Sequence, residues 1–84
     1  MEKNWFVYIV ECADKTLYTG ITTDLERRIN EHNYSSKGSK YTKTRRPVRM
    51  VYFETVKNRS EASKREYEIK KISKKDKLTL IRHF

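Results

Sequence analysis

Five side chains in this sequence have types and spacings suited to acid, base and anion chemistry: Tyr8, Tyr18, Arg28, His32 and Glu66. Glu66 stands out by its position. In a helix over 60–73, Ala62, Glu66, Ile69 and Ser73 recur at i, i+4, i+7 and i+11, which puts a carboxylate in the middle of the inward stripe. Burying an unpaired carboxylate is costly, so such a group is normally paired, protonated or bound to a metal. Arg28 and His32 stand four apart on an earlier helix and share one face, about 60° round from the line of Leu25 and Ile29. That face borders core and solvent, where a polar group reaches a cleft or simply marks an amphipathic edge.

Tyr8 and Tyr18 fall on the two strands of a hairpin, and the turn between them decides whether they cooperate. A two-residue loop at Asp14 and Lys15 pairs Tyr18 with Glu11 and puts the rings on opposite faces. A three-residue loop over Ala13, Asp14 and Lys15 pairs Tyr18 with Val10, so that both hydroxyls can converge on one ligand. The residues leave both registers open. Gly20 ends the second strand just before the helix, where a missing side chain permits close backbone approach or a tight bend.

The elements that must hold these groups follow from the pattern along the chain. Trp5 to Glu11 and Thr16 to Ile21 are dense in aromatic and β-branched residues and read as the hairpin strands. Thr23 and Glu26 have capping-box spacing and open a helix through about Asn33. From Tyr34 to Pro47 the chain reads as a basic loop with one helical turn, and Val48 to Val56 as a third strand. The helix bearing Glu66 follows. Ser73-Lys74-Lys75-Asp76 caps a last short helix that presents Leu78, Ile81 and Phe84 to the core. The order β-β-α-β-α-α predicts an α+β fold, a small three-stranded antiparallel sheet flanked by helices.

The 84 residues suit a single domain, 1–84, near the size at which one core becomes marginal. One cysteine, Cys12, allows no intramolecular disulfide and reads as a structural thiol in a reducing compartment. The longest apolar run, Trp5 to Val10, is too short to span a membrane, and the start lacks a signal-peptide pattern, so a cytoplasmic location is expected. Twenty Lys and Arg against eleven Asp and Glu leave a net charge of +9, one-sided enough to favour phosphate backbones as partners. No long basic stretch carries the wide apolar face of a membrane-surface helix.

Taken in order, Val7-Tyr8-Ile9, Tyr18-Thr19-Gly20, Arg28 eight residues past that glycine, His32 one turn later and a helical Glu66 resemble the GIY-YIG nuclease family. The likeness covers nearly the whole chain and is greatest to the small stand-alone bacterial members without an assigned role. It implies a metal-dependent endonuclease hydrolysing phosphodiester bonds in nucleic acid, DNA favoured over RNA, with repair or processing of DNA structures as a possible setting. The alternative is a binding domain that keeps the nuclease shape and cleaves poorly or not at all. The resemblance further implies one Mg²⁺ or Mn²⁺ at Glu66. The chemistry is compatible, since Mg²⁺ takes oxygen ligands and keeps several waters, so one carboxylate plus a substrate phosphate is a sufficient anchor.

By the same resemblance, Arg28 binds the scissile phosphate and stabilises the charge growing on it. One of Tyr8 and Tyr18 helps activate the attacking water, with Tyr18 the preferred of the two, and His32 orients that tyrosine or shuttles its proton. Departures from the family pattern are Phe6 for a glycine, Thr19 for an isoleucine, Ile21 for a lysine, and Leu78 where several nucleases have an asparagine. Lys37, Lys40, Tyr41, Lys43, Arg45 and Arg46 form the expected nucleic-acid track, with Tyr41 available for stacking.

Overall fold

The computed structural model describes residues 4–84. Its elements are β1 (Trp5–Glu11), β2 (Leu17–Thr22), α1 (Leu25–Tyr34), α2 (Lys40–Lys43), β3 (Arg49–Val56), α3 (Arg59–Lys71) and α4 (Lys74–Arg82). The three strands form one antiparallel sheet in the order β2-β1-β3, so β1 is central and β2 and β3 are the two edges. This is the expected α+β architecture and element order.

β1 carries an unbroken apolar run because helices cover both of its faces. Val7 and Ile9 pack with Ala62 and Ile69 of α3, and Leu80 and Ile81 of α4 close over that side. Tyr8, Val10 and Cys12 point the other way, towards Val48, Leu25 and Ile29. All four residues from Val7 to Val10 are within 1% of complete burial. Burial of each such side chain contributes about 1.5–3 kcal/mol.

The hairpin adopts the longer of its two turns. The Cys12 amide donates to the Thr16 carbonyl and the Lys15 amide to the Cys12 carbonyl, both at 2.9 Å, and Lys15 takes the left-handed conformation with φ 71°. Val10 therefore faces Tyr18 and Tyr8 faces Gly20, which sets the two tyrosines on one side of the sheet.

Several boundaries differ from the sequence-based expectation for local reasons. Asp24, not Thr23, caps α1, because its carboxylate accepts from the Arg27 amide while Thr22 receives the Asp24 amide. Asn58 caps α3, so that helix runs Arg59–Lys71, and Ser73 lies outside it as the cap of α4. Leu78 does not face the core. α4 presents Lys77, Leu80 and Ile81 inwards, and Leu78, about 100° round from Lys77, is left 41% exposed. Phe84 is 61% exposed, yet its ring stands against Tyr52 and Phe53 at 5.3 and 5.1 Å, over β3.

Candidate active site

Tyr8 is the centre of the arrangement, and Gly20 is the reason it fits. The Tyr8 ring lies across β2, so that a Cβ on Gly20 would fall 2.6 Å from the ring carbon Cζ and nearer still to the hydroxyl. No side chain but hydrogen is compatible with that ring position.

The Tyr8 hydroxyl meets His32 Nε2 at 2.7 Å, and His32 Nδ1 meets Thr42 Oγ1 at 2.9 Å. Both His32 and Thr42 are fully buried. Their proton positions follow from what lies beyond them. Thr42 Oγ1 is 3.1 Å from the Ser39 carbonyl, which can only accept, and a hydroxyl has one proton to give. With Thr42 donating to the Ser39 carbonyl, it receives the Nδ1 proton of His32, and Nε2 accepts from Tyr8. Both members of the pair are held neutral. Burial, with the Arg28 charge nearby, pushes the His32 pKa down to about 4 and keeps the ring neutral. Burial likewise pushes Tyr8 up to about 12. The Arg28 guanidinium opposes that rise, and charge on Tyr18 or Glu66 adds to it.

Arg28 reaches the same place from α1. Its Nη1 donates to the Glu31 carboxylate at 2.8 Å and to the Lys37 carbonyl at 2.9 Å. Burial is the largest single influence and works against the cation, but the contacts with Glu31 and Tyr8 together outweigh it and the Arg28 pKa is raised, while the Arg28 contact lowers that of Glu31. Tyr18 places its ring edge-on to His32, with centroids 5.4 Å apart, and stacks on Tyr41 at 5.9 Å. Tyr8 and His32 thus form a buried layer behind the partly exposed Tyr18 and Arg28.

Glu66 comes from α3, on the far face of the sheet, and its charge reaches the Tyr8 hydroxyl near the β2 edge. Its position in the inward stripe is as expected, between Ala62 and Ile69. Its burial is not. The side chain is 24% exposed and sits 3.5 Å from Lys70 Nζ, on a helix that covers both the central strand β1 and the β2 edge. Among the described residues no cluster of three His, Cys, Asp or Glu gathers around an ion site.

The basic track divides in two. Arg46 is tied into the fold, donating to the carbonyls of His32, Ser35 and Glu31 at 2.5, 2.6 and 3.3 Å, where it satisfies the C-terminal end of α1. Arg45 pairs with Asp14 at 3.0 Å and lies 4.0 Å over the Tyr41 ring. Tyr41 thus has internal partners in Arg45 and Tyr18 and is still 36% exposed. Lys37, Lys40 and Lys43 are exposed and remain as the outward cations of the loop.

Sequence reasoning missed Thr42 and Ser39, which carry no periodic signal in a polar loop, and Glu31. The last was visible as an acid three residues past Arg28 on one helix face.

Comparison with known proteins adds the context. The model of the GIY-YIG catalytic domain matches residues 4–79. A UPF0213 protein of Desulfotalea psychrophila is 65% identical over 93% of this chain and 71% of its own length. Another, from Syntrophus aciditrophicus, is 55% identical over 98% of this chain and 93% of the relative. Two solution NMR structures share the fold. The UPF0213 protein BH0048 of Bacillus halodurans is 46% identical with a TM-score of 0.59, covering 94% of this chain and 83% of that one. The protein EF2693 of E. faecalis is 42% identical with a TM-score of 0.66, covering 100% and 91%.

Proposed function

Because the chain belongs to the GIY-YIG family, we propose that it is a metal-dependent endonuclease that hydrolyses phosphodiester bonds, acting on DNA in preference to RNA. The observation that carries the reading is the grouping of Arg28, Tyr18 and the Glu66 charge around a Tyr8 hydroxyl whose proton already has an acceptor. A role in repair or processing of DNA structures fits an enzyme of this class.

The donor set suits a divalent ion. Glu66 is a partly exposed hard oxygen ligand, its lysine partner is itself half exposed and displaceable, and its charge acts on the Tyr8 phenol. Held there, Mg²⁺ or Mn²⁺ would supply Lewis-acid charge on the substrate phosphate.

The residues of the chain supply the rest. Arg28 takes the phosphate through guanidinium hydrogens not engaged by Glu31 and the Lys37 carbonyl, and offsets charge as the phosphorane-like state develops. Of the two tyrosines the geometry favours Tyr8 over Tyr18 as the group that receives the proton of the attacking water. As the water oxygen bonds to phosphorus its proton passes to Tyr8 Oη and the phenolic proton to His32 Nε2, while the P–O bond to the leaving oxygen breaks and that oxygen takes a proton from solvent water. Burial resists a charged His32, and the anionic substrate works in the opposite direction. Thr42 and Ser39 hold the ring so that Nε2 stays bare.

With Mg²⁺ or Mn²⁺, purified protein is expected to cut duplex, branched or single-stranded DNA. Glu66→Ala should abolish cutting while leaving binding nearly intact. Equal background cleavage by both proteins across that panel rejects the enzyme reading for those substrates. One observation favours a second reading, a binding domain that cleaves weakly: Arg28 is already engaged by Glu31. Under it, Glu31→Gln releases the arginine and raises the rate of cleavage. An unchanged or lower rate argues against it.

A further inference from the structure

A second feature of the β2 edge lies outside the catalytic grouping. Where α1 and the start of α3 approach each other across Ile21 and Thr22, they leave a cleft of about 310 Å³ that reaches Arg28. Trp5 lines it, with the Arg59 guanidinium 5.9 Å from the ring centroid. Arg27 also lines it, bonded at 3.4 Å to Thr22 Oγ1 and 3.7 Å from Glu31. Three guanidinium groups face one carboxylate, so the cleft is cationic, and among the described residues Arg59 forms no ion pair. A larger hollow of about 510 Å³ runs along the outer side of α1. Its lining includes Asp24, Glu26 and Glu31, and that acidic wall disfavours phosphate.

Position gives the cleft its meaning. Arg59 and Glu66 are seven residues apart on α3, the same face two turns on, which separates them by about 10 Å along the helix. That distance spans one to two nucleotides of backbone, and Arg28 belongs to both places. The combination of a partly exposed indole with paired cations is what a nucleotide requires: a flat surface for the base or sugar and forks for the phosphate.

We infer that this cleft is a nucleotide subsite flanking the scissile bond. Arg59 and Arg27 take the adjacent phosphate, and Trp5 provides the surface for its sugar or base. The inference rests on the nuclease reading for its orientation along the strand, but binding can be measured without cleavage.

Trp5 is the only tryptophan in the chain, so its emission reports the cleft directly. Titration of a short 5′-phosphorylated oligothymidylate into metal-free Glu66→Gln protein at low salt is expected to change that emission saturably. Arg59→Gln should weaken the response about three- to tenfold and lower its salt slope by about one. Lys64→Gln makes the same charge change at an exposed position of α3, and should leave the response within about twofold. A silent Trp5, equal weakening by the two substitutions, or the same response to inorganic phosphate alone overturns the inference. Cleavage by wild type with Trp5 silent removes the subsite and leaves the nuclease reading standing. An Arg59-dependent response without any cleavage does the reverse.

Discussion

Gly20 is the residue where one extra carbon should do most damage. Gly20→Ala puts a methyl into the Tyr8 ring, which is 1% exposed and bonded to His32, and so cannot swing aside freely. A loss of about 1–3 kcal/mol is expected, read as a lower urea midpoint with an unchanged m-value. Stability equal to wild type would show that Tyr8 has room to move. His32 makes a different prediction, in pH. Its unfolded imidazole takes a proton near the ordinary 6.5 and its folded one only near 4. Between those values the unfolded chain binds more protons, so stability falls as pH drops through that window and is unaffected by this group above it. The full effect is on the order of 3 kcal/mol. His32→Gln should flatten the stability profile over pH 6.5 to 4, and an identical slope in both proteins would refute the assignment.

At the scale of elements, the short α2 and its flanks act as a brace for α1. Asn33 bonds both the amide and the carbonyl of Val48, at 2.7 and 2.9 Å, and Arg46 gathers three carbonyls at the end of the same helix. Arg46→Ala is therefore expected to cost about 1–3 kcal/mol, with little change in nucleic-acid affinity. A substitution that weakens binding but not stability would return Arg46 to the basic track. The contrast explains what could be read without coordinates. Strands, helices and their order were legible because apolar runs, caps and Pro47 state local preferences. The grouping of Tyr8, Gly20, Arg28 and His32 was legible through the ordered motifs. The fate of Arg45 and Arg46 was not, because a cation at a helix end and one in solvent look alike in sequence. Likewise Leu78 and Leu80 differ only in phase, which the cap of α4 fixes.

Over the whole molecule, charge and coverage are arranged differently. Helices cover both sheet faces, and among the described residues none is long and apolar enough to cross a membrane. The excess charge of +9 is spread outside that core, with Lys37, Lys40 and Lys43 on the loop that folds over His32. Binding of nucleic acid should therefore weaken steeply with salt. Replacing those three lysines together by Gln should lower the slope of log K against log salt by about two to three. An unaltered slope would move the contact elsewhere. The hairpin turn over Ala13, Asp14 and Lys15 has a last consequence, for chain length rather than composition. Many residues are acceptable in an exposed turn, but its count is what puts Tyr18 beside Tyr8. Deleting one residue there would keep every functional side chain in the protein and turn one of them to the opposite side of the sheet. Asp14 holds Arg45 and Lys15 stands at a positive φ, yet the length of this loop matters more to the site than either residue.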